Sequence, residues 1–147
     1  MFVHTLRNTH EWLDEMSAIL GTRDEEMVSR ALRSSLHALR DSLTASDAVA
    51  FGVQLPMLIR GLYYEGWHPR TDQPSIANPS TFLSRIASEG PDGVDPERIA
   101  RAACAVIAKH VEPGPWEHAL HLVPGPLHRF GATRGFAAGV GERWERP

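Results

Sequence analysis

The residues of this chain that could do chemistry include eight histidines. His118 and His121 lie three residues apart, a spacing at which two imidazoles can share one metal ion on a helix. His128 is the nearest third candidate ligand in the sequence. The apolar neighbours of the pair fall on the opposite side of such a helix, and a functional site needs further ligands. We therefore interpret these residues as solvated histidines and expect no metal and no cofactor.

Cys104 and His110 lie on the apolar side of another predicted helix. Nothing near Cys104 in sequence would lower its thiol pKa, so we interpret it as a small core residue rather than a nucleophile. His110 ends that helix, where the backbone dipole favours an imidazolium, and we expect it to be half-buried. The sequence contains neither a glycine-rich phosphate loop nor a Gly-x-Ser-x-Gly motif. Enzyme activity is therefore left open but not favoured.

One aromatic segment has the composition of a binding hot spot. It contains the densest apolar run of the chain, at residues 54–69. Aromatic side chains beside an arginine are typical of protein-binding surfaces. Apolar groups occur nearly all the way round this helix, however, which favours a buried central helix with core aromatics. The candidate interaction patch consists of five of its residues: Arg60, Tyr63, Tyr64, Glu65 and Trp67.

The charge pattern does not favour a nucleic-acid-binding protein. The formal net charge is −3, and Lys109 is the only lysine. The nearest approach to a basic face is a set of four residues on one side of a predicted helix: Arg30, Arg33, His37 and Arg40. Acidic neighbours such as Asp41 dilute this face, and we expect it to be solvated.

The cysteine count and the hydropathy pattern favour a soluble cytosolic protein. A single cysteine cannot form an internal disulfide, which fits a reducing compartment. The first residues lack a basic region followed by an apolar core, and no window approaches 18 apolar residues. We therefore expect neither a secretory signal nor a membrane partner.

Capping residues and apolar spacing predict about eight helices that position these groups. Thr22 and Thr44 are predicted caps, and the pairs Asn78-Pro79 and Asp95-Pro96 are stronger start signals because proline suits the first helical turn. The predicted helices cover approximately residues 8–20, 22–42, 44–52, 56–65, 79–90, 96–110, 114–122 and 124–130. The fold class is therefore all-α, in a single compact domain.

The two halves of the chain repeat the same order of predicted elements. A shift of 68 residues carries Leu36 onto Cys104, Leu39 onto Ile107 and Pro56 onto Pro124. Such self-similarity predicts two pseudo-repeated four-helix units. The units cover about residues 8–68 and 79–130, with a linker at about 69–78 and a glycine-rich tail at 131–147.

Two segments carry a resemblance to a known family. Residues 31–43 read Ala-Leu-Arg-Ser-Ser-Leu-His-Ala-Leu-Arg-Asp-Ser-Leu, and residues 54–67 read Gln-Leu-Pro-Met-Leu-Ile-Arg-Gly-Leu-Tyr-Tyr-Glu-Gly-Trp. With the Phe82-Leu83 helix and the Asp95-Pro96 helix that follow, the chain resembles the bacterial domain-of-unknown-function 2267 family over about residues 8–130. The resemblance implies a small, helical, bacterial protein and no particular activity.

The leading functional hypothesis is a non-enzymatic protein-interaction or regulatory module. It binds a protein partner or a second copy of itself through the interaction patch. The alternative is a small-molecule or metal-binding protein with a pocket between the two repeats. Exposed aromatics in the interaction patch favour the first hypothesis, and polar groups converging on a cavity favour the second.

Overall fold

Seven α-helices build the part of the chain that the computed structural model describes, residues 2–69 and 73–123. They are α1 (Phe2–Leu20), α2 (Glu25–Asp41), α3 (Ala45–Gly52), α4 (Met57–Tyr64), α5 (Pro79–Glu89), α6 (Pro96–His110) and α7 (Pro113–Leu122). These ranges contain no strand, which confirms the all-α prediction. No helix in them is long and apolar enough to cross a membrane. The predicted eighth helix at 124–130 and the tail at 131–147 lie outside the described residues.

Short polar side chains start four of the helices. The N-caps Thr44, Asn78 and Asp95 each accept a hydrogen bond from a backbone N–H of the first turn, as predicted. Helix α2 is capped by Asp24 instead of the predicted Thr22. The Thr22 hydroxyl accepts a hydrogen bond from the Asp24 N–H, so it stabilises the turn before the helix instead of the first helical turn.

Helix α2 lies at the centre of the fold. It packs against α1, α4, α5 and α6. The residues predicted to share its buried face are buried: Val28, Leu32, Ser35, Leu36 and Leu39. Small buried residues, Ala31, Ser34 and Ala38, occupy other sides of the helix and allow close approach of its neighbours.

The prediction that residues 56–65 form a helix buried on all sides is wrong. Helix α4 packs against α1 and α2, and its fully buried side chains are Ile59 and Tyr63. Met57 is 54% exposed and Leu58 is 43% exposed, because the other side of α4 faces solvent. Gly66 has the predicted left-handed backbone just beyond the helix, with φ of 72°.

Candidate functional site

Arg60 of the predicted interaction patch braces the turn between α3 and α4. Its Nε donates to the Gly52 carbonyl at 2.9 Å, and its Nη2 donates to the Leu55 carbonyl at 2.8 Å and the Val53 carbonyl at 3.2 Å. The last carbonyls of a helix lack intrahelical partners, and a guanidinium group offers several donors in a fixed plane. Arg60 therefore acts as a rigid cap on the end of α3.

The aromatic residues of the interaction patch extend from the core towards the surface. Tyr63 is fully buried, and its hydroxyl donates to the Ala48 carbonyl at 2.7 Å. Its ring meets the edge of the half-buried Tyr64 ring at 4.9 Å between centroids, and Tyr64 lies 5.4 Å from Trp67. Burial raises the pKa of the Tyr63 phenol far above its ordinary value. Tyr63 thus supports the other aromatics without offering surface of its own.

Gly52 makes room for the second of these aromatics. A Cβ atom at this position would collide with the Tyr64 hydroxyl. The same Cβ would lie 2.9 Å from Cζ of Tyr64 and 3.1 Å from Cε2 of Tyr63. The absence of a side chain at Gly52 is therefore what lets the end of α4 pack onto α3.

Glu65, the remaining member of the interaction patch, forms an ion pair with Arg33 of α2. Both side chains are 48% exposed. The structure thus brings the five predicted residues together on α4 and the turn after it. The polar groups of Arg60, Tyr63 and Glu65 are all engaged by the protein itself.

Sequence reasoning missed a buried polar cluster beside the interaction patch. We name it the Arg40 cluster, and its members are His37, Arg40, Asp41, Arg85 and Glu89. His37 and Arg40 are each only 3% exposed, so the prediction that they belong to a solvated basic face is wrong. The other members of that face also contact protein, since Arg30 donates to the Gly90 carbonyl at 3.1 Å and Arg33 pairs with Glu65.

The Arg40 guanidinium caps the C-terminal end of α4. Its Nη1 donates to the carbonyls of Tyr63 and Glu65, both at 2.9 Å. Its Nε and Nη2 donate to the two carboxylate oxygens of Asp41 at 2.9 and 3.1 Å. A buried charge is tolerated only when it is paired and hydrogen-bonded, and these contacts meet both conditions. They also tie α2 to α4.

His37 makes a second bridge from α2. Its Nε2 lies 2.8 Å from the Leu62 carbonyl oxygen, and its Nδ1 lies 3.1 Å from Oε2 of Glu89 on α5. A carbonyl and an ionised carboxylate can only accept hydrogen bonds. The carbonyl contact is therefore satisfied when Nε2 donates, and His37 links α2 to both α4 and α5.

Arg85 of α5 completes the Arg40 cluster. Its Nη1 lies 2.7 Å from Asp41 Oδ2, and its Nε lies 3.4 Å from Oε1 of Glu89 one helical turn later. The Asp41 carboxylate is therefore shared by two guanidinium groups. The cluster holds α2, the end of α4 and α5 together, and its charged groups alternate in sign.

A pocket opens beside the Arg40 cluster, between the first and second halves of the chain. We call it the seam pocket. It has a volume of about 350 Å³, and its walls come from the end of α2, the segments on either side of residues 70–72, and α5. Its polar lining includes Arg40, Asp41 and Arg85, with Trp67 of the interaction patch on one wall.

The weak metal candidates His118 and His121 lie on α7. His118 Nε2 lies 3.4 Å from Asp47 Oδ1, and both His118 and His121 are exposed. Within residues 2–69 and 73–123, no three His, Cys, Asp or Glu side chains come close enough to hold a metal ion. His128 lies outside these ranges, so its part in a metal site is not tested.

His110 is half-buried at the end of α6, as predicted. Its Nε2 lies 2.6 Å from Glu15 Oε2 on α1, and its ring stacks on Trp12 at 5.1 Å. Glu15 also binds Lys109 Nζ at 2.8 Å and, by this hydrogen bond, raises the pKa of that lysine. These contacts join α1 to α6.

Cys104 is expected to react slowly with thiol reagents. Its side chain is half-buried, and this burial raises the pKa of the thiol to about 12, so the folded protein at pH 8 holds far less thiolate than an ordinary cysteine. The rate of reaction with 5,5′-dithiobis(2-nitrobenzoic acid), measured in buffer and again in guanidinium chloride, checks this. Similar rates in the two solvents would contradict a half-buried, protonated thiol.

Comparison with known proteins identifies one family. The model of a family described as "Uncharacterized conserved protein (DUF2267)" matches residues 9–130. None of the curated proteins matches the chain.

Proposed function

This chain belongs to the DUF2267 family of uncharacterized conserved proteins, and we propose that it is a non-enzymatic interaction module that associates with a second copy of itself. The contact surface consists of the end of α3, the turn that follows it and the start of α4, residues 49–58, which we name the α3–α4 corner. We also propose a cytosolic location, on the ground of its single cysteine. The family description states no activity, so the proposal rests on the surface of the molecule.

Exposed apolar side chains carry the proposal, because they concentrate in the α3–α4 corner. Seven large apolar side chains are strongly exposed in the described residues, and four of them fall within these ten positions: Val49, Val53, Met57 and Leu58. Val53 is 64% exposed and Met57 is 54% exposed. Scattered exposed apolar residues are normal, whereas a cluster of them marks an interaction surface.

Two further features suit the α3–α4 corner to self-association. Residues 49–58 contain no charged residue, so two copies can meet there without repulsion between like charges. Arg60 holds the carbonyls of Gly52, Val53 and Leu55, so little of the backbone has to be ordered on contact. Tyr64, Glu65 and Trp67, at the other end of α4, remain proposed as additional contacts.

Charge introduced into the α3–α4 corner is expected to abolish association. In the variant Met57→Glu/Leu58→Glu, two like-charged carboxylates from each copy would have to be desolvated at the contact. Sedimentation velocity from about 1 μM to 1 mM, a range that spans weak to moderate affinities, should show dimers for the wild type and only monomers for the variant. Both side chains face solvent, so unfolding free energy should change by less than about 0.5 kcal/mol.

Val3 and Leu6 on α1 offer a matched control. They are 66% and 52% exposed, as much as the residues of the α3–α4 corner, but they lie elsewhere in the fold. The variant Val3→Glu/Leu6→Glu should dimerise like the wild type. A wild-type protein that is monomeric throughout the range, or a control that loses association equally, would overturn the proposal.

We further propose that the two halves of the fold derive from an internal duplication. Adding 68 to the bounds of α2 and α3 gives residues 93–109 and 113–120, close to α6 (Pro96–His110) and α7 (Pro113–Leu122). The packing of the helices shows the same symmetry. If α1 is exchanged with α5 and α2 with α6, a packed pair of helices becomes another packed pair. The pair α1 with α2 becomes α5 with α6, and the pair α2 with α5 becomes α6 with α1; all four pairs pack together. This exchange supports the duplication.

A further inference from the structure

The seam pocket has the size and lining of a ligand site, and it is separate from the α3–α4 corner. Its volume of about 350 Å³ falls in the range of small-molecule pockets, about 300–1,000 Å³. Polar side chains from three parts of the chain converge on it. Arg40 and Asp41 come from α2, Ser75 comes from the segment before α5, and Arg85 comes from α5.

Among the residues that the structure describes, the charges that line the seam pocket do not cancel. Arg40 and Arg85 both contact Asp41, so the described lining holds two guanidinium groups and one carboxylate. His68 also lines the pocket. The nearby Glu89 is turned towards His37 and Arg85 Nε and does not line the pocket. The lining therefore favours an anion.

Arg85 has donors left for such an anion. Its Nη1 is bound to Asp41 and its Nε lies near Glu89, whereas its Nη2 contacts no acceptor among the residues that the structure describes. The side chain is 30% exposed, so a ligand can reach it. The Asp41 contact also fixes the plane of the guanidinium group, which lowers the entropic cost of binding. An oxyanion with two oxygens matches this group well.

The remaining walls indicate what the anion is attached to. Trp67 contributes an indole ring, and Gly66 and Pro69 beside it add no charge. A flat ring can stack on an indole, and such contacts contribute beyond simple area burial. Ala45, the first residue of α3, also lies at the wall, so the positive end of that helix dipole is close to the pocket.

We propose that the seam pocket binds a small organic anion, a carboxylate or phosphate monoester carried on a flat ring. The anionic oxygens accept hydrogen bonds from Arg85, and the ring packs on Trp67. No bond is made or broken, so the site is one of binding and not of catalysis. It does not depend on self-association at the α3–α4 corner.

Proton–nitrogen correlation spectra of the full chain, titrated with benzoate or phenyl phosphate, test the proposal. Ionic strength is held constant with sodium chloride so that general screening does not contribute. Saturable shifts are expected for the Trp67 indole and for the amides of Gly66 and Ser75. Inorganic phosphate should bind about tenfold more weakly than phenyl phosphate, because it cannot stack on Trp67.

Two variants locate the site. Arg85→Gln removes the donor and should weaken binding about tenfold or more. Because this change also leaves the buried Asp41 less well paired, Ser75→Glu serves as a second variant. Ser75 is exposed at the pocket wall, and a carboxylate there should repel the anion by a similar factor without disturbing the Arg40 cluster.

Arg7→Gln is the matched control, since Arg7 is an exposed arginine of α1 away from the pocket. It should bind both aromatic anions like the wild type. The proposal is overturned if neither aromatic anion gives saturable shifts, or if Ser75→Glu binds them unchanged. Equal affinity for inorganic phosphate and phenyl phosphate would overturn the assignment of a flat ring.

Discussion

Replacing Arg40 with leucine is expected to lower the free energy of unfolding by about 3–5 kcal/mol, the usual cost of breaking a buried ion pair. The substitution removes both hydrogen bonds to Asp41 and those to the carbonyls of Tyr63 and Glu65. Leucine cannot donate to these groups, and Asp41 would keep Arg85 as its charged partner. Urea denaturation followed by circular dichroism measures the loss.

Arg33→Leu is the control for this prediction. Arg33 lies on the same helix and pairs with Glu65, but both of these side chains are half exposed. Exposed ion pairs contribute about 0–1 kcal/mol, so this variant should remain close to the wild type in stability. Equal losses for Arg33→Leu and Arg40→Leu would show that the Arg40 cluster is hydrated and that the buried geometry is wrong.

Tyr63→Ala is expected to cost about 3–5 kcal/mol of unfolding free energy, because it removes a fully buried aromatic ring from the contact of α4 with α3. Tyr63→Phe keeps the ring and loses the hydrogen bond to the Ala48 carbonyl, which should cost about 1 kcal/mol. Tyr64→Ala should cost less than Tyr63→Ala, since Tyr64 is only half-buried. Thermal unfolding of the three variants gives this order, and a reversed order would contradict it.

Alkaline pH provides an independent check on Tyr63. Burial raises the pKa of its phenol above the ordinary 10.0, so the unfolded chain loses this proton first as the pH rises. The protonated Tyr63 phenol therefore makes its full contribution to the free energy of unfolding below pH 10. This contribution is lost progressively as the pH rises above 10. The Tyr63→Phe variant should therefore lose less stability than the wild type between pH 10 and pH 11, and equal losses would argue against a buried hydroxyl.

The helix starts that were predictable from sequence are those with a local chemical cause. Asn78-Pro79 and Asp95-Pro96 each combine a side-chain acceptor with a proline at the first helical position, and both start a helix. The start of α1 at Phe2 was not predictable in this way. Val3 and Leu6 in its first turns are exposed, so they give no pattern of buried positions.

The Arg40 cluster was not predictable because its partners are distant in sequence. Periodicity separates the apolar and polar sides of α2, but it does not state what covers the polar side. Tyr63 follows Arg40 by 23 residues, and Glu89 follows His37 by 52. The sequence did contain one indication that α2 is covered on its polar side. The small residues Ala31 and Ala38 permit close approach of other helices on more than one side.

The exposed side of α4 was not predictable from the sequence, for a different reason. Met57, Leu58 and Leu62 give the helix an apolar composition that is typical of burial. Composition cannot distinguish an apolar residue in the core from one on a surface that contacts another protein. Only the positions of α1 and α2 reveal which side of α4 is covered.

The Arg40 cluster also constrains how the chain can fold during synthesis. The ribosome releases His37 and Asp41 well before Arg85 and Glu89, which complete their pairing. Until α5 has emerged, Asp41 is paired only with Arg40 and His37 has no Glu89 beside it, so the surface of α2 that packs against α5 stays uncovered. We therefore expect the first predicted unit, residues 8–68, to be less stable on its own than within the full chain. We expect α2 to complete its packing only after α5 has been synthesised.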